Sequence, residues 1–205
     1  EGRRAMLDPE VDVAVDAGAA DAPSSAASNV FFSDTLRLVT LNVAGCQGSF
    51  AISDDARMDK ILDSIFERDP RWEVNALLFQ EVTADMYAVI RRRLASWSIY
   101  RRRENGEGYF VVTAVRYPAA GPEDKTSSFP FPAEMTVNGR HMLTVRRGQW
   151  AIENVHLDAG GKDSEADKRR QQFRILSRTY ESYANQICVL AGDFNVREGE
   201  DQCLL

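Results

Sequence analysis

The chain has 205 residues, of which 44% are hydrophobic, so it can form one sizeable core or most of a larger one. Its formal net charge is −6, but residues 1–35 hold seven acidic side chains against two arginines and account for −5 of it. The remainder is nearly neutral, so a polyanionic substrate would have to be bound by local basic clusters and a metal rather than by net charge.

Cysteine content and hydropathy indicate the cellular compartment of the protein and whether it interacts with a membrane. Cys46, Cys188 and Cys203 are odd in number and have no paired spacing, which indicates reduced thiols in an intracellular protein. No apolar run approaches membrane length, and the first residues lack the basic-then-apolar layout of a secretory signal. We therefore expect no membrane partner.

Residues 1–35 are rich in Ala, Asp and Ser and show neither helical nor alternating periodicity. This composition predicts a flexible extension or linker, with an acidic interaction tail as the alternative. The folded domain is predicted to span residues 36–205.

The first half of this domain alternates strands and helices. Residues 36–43 predict a strand that carries Asn42 near its end, and an amphipathic helix follows Ser53. Residues 74–79 predict a second strand that leads to Glu81, and another amphipathic helix comes next. This order is compatible with a parallel sheet or with a layered α/β sandwich.

The second half has a different character. Residues 109–115 predict a further strand, and residues 141–146 and 149–156 predict an antiparallel hairpin. A long amphipathic helix over residues 164–184 leads to a short apolar run at 187–190, which predicts a buried strand. The hairpin makes a doubly wound parallel sheet less favourable than a sandwich.

Polar functional groups follow the ends of the apolar strands rather than being scattered over helix faces. Groups placed in this way indicate a site assembled across one edge of a sheet. The structural alternatives are a helix-N-terminal acid, a strand-end histidine and a polar turn. The strand-end groups are Asn42, Gln80-Glu81, His156-Leu157-Asp158 and Asp193-Phe194-Asn195.

The residue types at these strand ends narrow the chemistry. One Glu with several amide and carboxylate oxygens is a hard donor set that suits magnesium or manganese, whereas zinc favours His and Cys. Asp193 can take a proton from an attacking water, and Asn and His side chains can donate to phosphate oxygens. The combination is typical of metal-assisted phosphodiester hydrolysis.

Two arginine runs, at residues 91–93 and 101–103, have two interpretations. They could contact a DNA backbone, as clustered cations often do. The simpler interpretation is that they are solvated faces of the protein, and we favour it.

The ordered motifs at the strand ends resemble the signatures of the endonuclease/exonuclease/phosphatase superfamily. Within it, the chain most resembles the type 2 tyrosyl-DNA phosphodiesterases, and the likeness runs from about residue 36 to the end. It implies an α/β fold, a four-layered α/β/β/α sandwich. The superfamily motifs are Thr40-Leu41-Asn42, Gln80-Glu81, His156-Leu157 and Gly192-Asp193-Phe194-Asn195; the closer likeness rests on Glu107-Gly108-Tyr109-Phe110, Pro130-Phe131-Pro132 and residues 192–197.

The resemblance also implies a role for each matching residue. Glu81 and Asn42 would hold Mg²⁺, or Mn²⁺ in its place, and Asn42 would also orient the phosphate. Asp193 and Asn195 would position the nucleophile, and His156 would stabilise the phosphate in the transition state. The side chains lining the DNA or leaving-group side would be Tyr109, Arg140 and Arg197.

The implied reaction removes a tyrosyl adduct from DNA 5′ ends, single-stranded or protein-linked, during DNA repair. We accordingly expect a nuclear protein with some cytoplasmic material. An abasic-site endonuclease, a deadenylase or a phospholipid phosphodiesterase would use the same signatures, because loops choose the substrate.

Two departures from the resemblance bear on activity. Asp158-Ala159 stands where the similar enzymes carry Glu-Ser, and the closing Ser-Asp-His element of the family has no counterpart. We therefore expect a fragment of a longer, active enzyme, truncated at its C-terminus and inactive by itself. The alternative is a non-catalytic relative that acts as a binding or assembly module and exposes a sheet edge.

Overall fold

The computed structural model describes residues 35–45, 51–68, 73–103, 108–116, 125–136, 139–180, 183 and 186–200. The predictions for residues 1–34, and those that involve Cys46, Glu107 and Cys203, lie outside the described residues, and the domain boundary stays a prediction. The strands are β1 (Leu38–Asn42), β2 (Ala76–Thr83), β3 (Ser98–Arg103), β4 (Tyr109–Val115), β5 (Lys125–Pro130), β6 (His141–Arg147), β7 (Trp150–His156) and β8 (Ile187–Asp193); the helices are α1 (Asp54–Arg68), α2 (Ala84–Arg93) and α3 (Asp163–Tyr180), with a 3-10 turn at Ala133–Met135.

The first sheet has the strand order β1-β2-β4-β3, with β1 and β2 parallel and the other neighbours antiparallel. Alternate residues of β2 point to opposite faces, so Leu77 and Phe79 contact the helix layer while Leu78 faces the other sheet. Helices α1 and α2 cover the outer face through the buried side chains of Met58, Leu62, Met86 and Ile90.

The second sheet has the order β5-β6-β7-β8, and β7 and β8 are parallel. Leu176 on α3 packs with Val155 and Leu157 on its outer face. Ile152 and Leu78 of the first sheet belong to the same buried cluster, so the two sheets lie face to face between the helix layers. The expected α/β/β/α sandwich is confirmed.

Buried polar side chains join the two sheets near the site. The Gln80 side chain is fully buried and its Nε2 donates to Asn154 Oδ1 at 2.7 Å. Asn154 Nδ2 in turn donates to the Val112 carbonyl oxygen at 2.9 Å. Gln80 therefore serves the contact between the sheets, although the sequence placed it among the strand-end functional groups.

The strand at residues 187–190 differs from its prediction. Its apolar composition predicts burial, yet Ile187 is 49% exposed and most of β8 is only partly buried. The reason is that β8 is an edge strand of its sheet in the described residues, as β1 is in the other sheet.

None of the helices in the described part of the chain combines the length and the apolar character that crossing a lipid bilayer requires.

Candidate active site at the strand ends

The predicted strand-end residues meet at one end of the sandwich. In the parallel pairs, Asn42 lies opposite Gln80 and His156 lies opposite Asp193. Because β1 and β2 also face β8 and β7 across the sandwich, the carboxyl ends of all four strands converge. Side chains from positions far apart in sequence are thereby brought within hydrogen-bond distance.

Asn42 is the centre of this cluster. Its Nδ2 donates to Glu81 Oε1 at 3.0 Å and to Asp193 Oδ2 at 2.8 Å. Its Oδ1 accepts the backbone N–H of Ala44 at 2.8 Å, which fixes the orientation of the amide. One amide therefore bridges two carboxylates that would otherwise repel each other.

Glu81 occupies an unusual backbone position. Its φ is +58°, in a region that residues with a Cβ seldom adopt, and it lies where β2 and β4 lose register between Phe79 and Val82. The bulge turns the Glu81 side chain toward Asn42 instead of leaving it in strand alternation. Strain at a bulge of this kind is characteristic of functional sites.

Gly45 makes room for this backbone. Its N–H donates to the Glu81 carbonyl oxygen at 3.0 Å, and a Cβ added at Gly45 would lie 2.0 Å from that oxygen. Only glycine permits so close an approach of the two chains. The loop after β1 therefore sets the position of Glu81 as well as that of Asn42.

Asp193 and Asn195 form a local turn at the end of β8. The Asn195 backbone N–H donates to Asp193 Oδ1 at 2.9 Å, and its Nδ2 donates to the Leu157 carbonyl oxygen at 2.9 Å. Asn195 has φ +50°, which Asn tolerates better than most residues. In this arrangement Asn195 positions Asp193 and the loop after β7.

His156 is fully buried beside the two carboxylates. Its Nε2 lies 3.7 Å from Glu81 Oε1 and 3.9 Å from Asp193 Oδ2. Its Nδ1 lies 2.9 Å from Arg140 Nη1, and the Tyr109 ring is tilted against the imidazole with the centroids 6.2 Å apart. The imidazole is thus held between a cation and two anions.

The predicted substrate-lining residues separate into two groups. Tyr109 and Arg140 are buried, at 4% and 3% exposure, and contact His156. Arg197 is exposed on the loop after β8. It lies beside Gly161, since a Cβ added at Gly161 would be 3.3 Å from Arg197 Nη1. Arg197 is therefore the member of this set that is open to a ligand.

Sequence reasoning listed Asp158 among the strand-end groups but missed Arg169 and Gln172, two buried polar residues of α3 that bond to it. Asp158 is fully buried and its Oδ2 accepts the Gln172 Nε2 at 2.8 Å. Arg169 Nη1 donates to the Asp158 carbonyl oxygen at 3.0 Å, and its Nε donates to Glu200 Oε2 at 2.9 Å. Arg169 and Gln172 are three residues apart on α3, and that spacing is too common to signal a role.

The donor set fits a hard divalent cation. Among the described residues, no group of three or more His, Cys, Asp or Glu side chains is arranged to hold a metal ion. Magnesium needs only one or two protein carboxylates, because water and substrate phosphate supply its other ligands. Glu81 offers carboxylate oxygens, and Asn42 Oδ1 keeps a lone pair beyond the one that accepts the Ala44 N–H.

Comparison with known proteins identifies the family of the chain. A sequence profile of the Endonuclease/Exonuclease/phosphatase family matches residues 39–203. Tyrosyl-DNA phosphodiesterase 2 of Mus musculus is 26% identical over 171 residues, covering 82% of this chain and 43% of that protein. The Bos taurus protein of the same name is 27% identical over 132 residues, covering 62% of this chain and 34% of that protein.

The fold of the chain is similar to that of a solved structure. The structure of D. rerio TDP2 complexed with single strand DNA product superposes with a TM-score of 0.63 at 21% identity, covering 82% of this chain and 64% of that one. The chain spans less than half of the curated relatives named above. With the profile match, the fold and the converging strand ends, the chain belongs to the Endonuclease/Exonuclease/phosphatase family.

Proposed function

We propose that this chain carries the catalytic strand ends of a metal-dependent phosphodiesterase that hydrolyses phosphodiesters at DNA 5′ ends and removes 5′-tyrosyl adducts in DNA repair. The observation that carries the proposal is the Asn42 amide, which joins Glu81 and Asp193 beside the buried His156. The names of the similar proteins support the substrate, since they are tyrosyl-DNA phosphodiesterases and one was solved with single strand DNA product.

Glu81 and Asn42 would hold the metal, Mg²⁺ or Mn²⁺ in its place. When bound, such an ion supplies positive charge next to the phosphate and acts as a Lewis acid. The negative charge of Glu81 and Asp193, which Asn42 bridges through its NH₂ group, favours a cation at this position.

The residues of the chain account for the proton and charge movements of hydrolysis. A water oxygen attacks phosphorus, Asp193 accepts the proton of that water, and the bond from phosphorus to the tyrosyl oxygen breaks. The leaving phenol has a pKa of about 10, so it departs with little need of a proton donor. The products are tyrosine and a DNA 5′ phosphate.

His156 would stabilise the charge that builds on the phosphate oxygens. Its Nε2 lies on the side of Glu81 and Asp193, and donors placed before the reaction contribute most to such stabilisation. Arg197, exposed on the neighbouring loop, would contact the DNA backbone. Asn195 would keep Asp193 in place through its backbone N–H.

We further propose that turnover requires a protein longer than this chain. Asn42 and Asp193 belong to β1 and β8, and the outer edge of each of these strands has no paired strand among the described residues.

We also propose that the protein is nuclear, with a cytoplasmic fraction. The proposed substrate, DNA 5′ ends, supports this location. Imaging of a fluorescent fusion tests the location, and exclusion from the nucleus would contradict it.

Release of tyrosine from a 5′-tyrosyl oligonucleotide tests the function. The assay compares this chain with the longest natural protein that contains it, with Mg²⁺ and with chelator. We expect Mg²⁺-dependent release by the longer protein, abolished in Glu81→Ala and Asp193→Asn. Asp167→Asn removes one charge from the exposed side of α3, where Asp167 pairs with Arg170, and should leave the rate unchanged.

Two results would overturn the proposal. Equal release in chelator would exclude a metal, and unchanged release in Glu81→Ala and Asp193→Asn would exclude this site. Hydrolysis of abasic DNA or poly(A) with no action on the tyrosyl substrate would keep the reaction class and replace the substrate.

A further inference from the structure

Arg140 and Tyr109 lie against His156 in the arrangement described above. Both are buried, and the contacts of the Arg140 guanidinium include the Tyr109 hydroxyl and the imidazole of His156. The structure therefore shows a direct contact of Arg140 with His156, through which Arg140 can act on the site.

The hydrogen bonds of Arg140 Nη1 determine where the imidazole proton lies. Nη1 carries two hydrogens; it donates to the Tyr109 hydroxyl oxygen at 2.6 Å and lies 2.9 Å from His156 Nδ1. A guanidinium group cannot accept a hydrogen bond, so His156 Nδ1 must be the acceptor. An imidazole whose Nδ1 accepts carries its proton on Nε2.

The other side of the ring agrees with this tautomer. Nε2 lies 3.7 Å from Glu81 Oε1 and 3.9 Å from Asp193 Oδ2, and an N–H favours such an anionic environment while a lone pair does not. The opposite tautomer would place an N–H against the Arg140 guanidinium and a lone pair against two carboxylates.

Hydrogen bonds of the Arg140 backbone hold its guanidinium beside the imidazole of His156. The Arg140 N–H donates to Thr136 Oγ1 at 3.1 Å, and the Arg140 carbonyl oxygen accepts the Phe131 N–H at 3.1 Å. The guanidinium carbon also lies 5.6 Å from the centroid of the Tyr109 ring. Thus β4, the segment before β6 and the end of β7 all contribute to the placement of one hydrogen bond.

We propose that Arg140 is a positioning residue that fixes His156 as the Nε2–H tautomer. His156 then presents a ready-made donor on the side where the two carboxylates meet, while its Nδ1 stays occupied. The value of that donor for binding phosphate rests on the proposed function; the tautomer itself does not.

Nitrogen NMR of the imidazoles tests the proposal on this chain without any assay of activity. The chain has two histidines, so His156→Gln, which retains His141, assigns both sets of ring signals. We expect His156 Nδ1 to be unprotonated, Nε2 to be protonated, and a scalar coupling to pass across the hydrogen bond between Arg140 Nη1 and His156 Nδ1.

Variants separate the effect of Arg140 from general loosening of the protein. Arg140→Met should abolish the coupling and move the Nδ1 signal toward that of an unbonded nitrogen, whereas Arg140→Lys retains a donor and should restore the bonded position. Tyr109→Phe removes the second acceptor and should leave the coupling in place. Arg147→Met is the matched control, because Arg147 is equally buried on β6 but bonds to Ser98 and Tyr100.

A proton on His156 Nδ1 in the wild-type protein would overturn the proposal. So would an Nδ1 signal that is the same in wild type and Arg140→Met, since Arg140 would then not set the tautomer. If Arg140→Met does not fold, the wild-type coupling decides alone, and its absence counts against the proposal.

Discussion

The site depends on backbone conformations that few residues adopt without strain. Glu81 has φ +58° and Gly45 lies against its carbonyl oxygen, so the position of the carboxylate is set by two chain segments that touch. Conformations of this kind cost of the order of 1–3 kcal/mol each and persist only where neighbouring structure enforces them. Small changes in the loop after β1 should therefore be felt at Glu81.

Gly45→Ala tests this dependence. The added Cβ would meet the Glu81 carbonyl oxygen at 2.0 Å, so the backbone must move, and we expect a loss of about 2 kcal/mol in the free energy of unfolding. Gly108→Ala is the control, because an added Cβ there meets nothing within 4 Å. Urea unfolding of both variants measures the difference; equal stabilities would show that Gly45 does not constrain Glu81.

Individual residues of the site could be predicted from sequence, but their partners could not. Asn42, His156 and Asp193 are the last residues of their strands, and Glu81 lies at the bulge near the end of β2. Strand ends in neighbouring positions must meet. Nothing local indicates that Arg140 lies against His156, because that contact depends on how the segment before β6 crosses the site.

Helix α3 connects the loops around the site. Arg169 is 1% exposed, donates to the backbone after β7 and pairs with Glu200 beyond β8. This pairing holds the pKa of the Glu200 carboxyl below its ordinary value, chiefly through the hydrogen bond from Arg169. The loops that follow His156 and Asp193 are therefore both hydrogen-bonded to Arg169 of α3.

Glu200→Gln should weaken this attachment. Loss of a hydrogen-bonded charge partner from a buried arginine costs about 2 kcal/mol at neutral pH. Because the folded-state pKa of Glu200 is lowered from 4.5, the stabilisation is complete above pH 4.5 and disappears as the pH falls through the folded-state pKa. Unfolding free energies of wild type and Glu200→Gln should converge in acid, whereas the exposed Glu198→Gln should follow wild type throughout; parallel wild-type and Glu200→Gln curves would contradict the attachment.

Most elements were predictable because hydrophobic periodicity matched their burial. The strand at residues 109–115 and the hairpin of β6 and β7 have almost the predicted bounds. The prediction omitted β3, whose Arg101 and Arg102 hide its alternation, and β5, whose Thr126, Ser127 and Ser128 give an edge strand a polar sequence. Apolar composition also overstated the burial of β8, since composition alone does not distinguish a central strand from an edge strand.

The described arginines of the runs at residues 91–93 and 101–103 differ from Arg197 in their surroundings. Arg92 and Arg93 pair with Asp59 and Asp63, and they lie at the end of α2 farthest from its start beside Glu81. The Arg101 guanidinium carbon lies 4.4 Å from the centroid of the Tyr87 ring. Arg92, Arg93 and Arg101 thus have partners within the fold, in keeping with solvated faces. The exposed Arg197 lies on the loop after Asp193.

The salt dependence of DNA binding should distinguish these positions. If Arg197 contacts one phosphate of a 5′-phosphorylated single strand, Arg197→Gln should reduce the slope of log affinity against log salt by about 0.7. Arg93→Gln, which removes the same charge from the paired cluster on α2, should leave the slope unchanged. Fluorescence anisotropy at several salt concentrations measures both, and equal slopes in wild type and Arg197→Gln would rule out the contact.

The proposed function requires that the converging ends of β1, β2, β7 and β8 form one centre for a divalent cation. Electron paramagnetic resonance of free Mn²⁺, titrated into the chain with a 5′-phosphorylated oligonucleotide, tests it most directly. We expect wild type and Asp167→Asn to bind Mn²⁺ equally and Glu81→Gln to bind it at least about tenfold more weakly, a loss of about 1.4 kcal/mol. Equal Mn²⁺ binding by wild type and Glu81→Gln, or binding by neither, would contradict it.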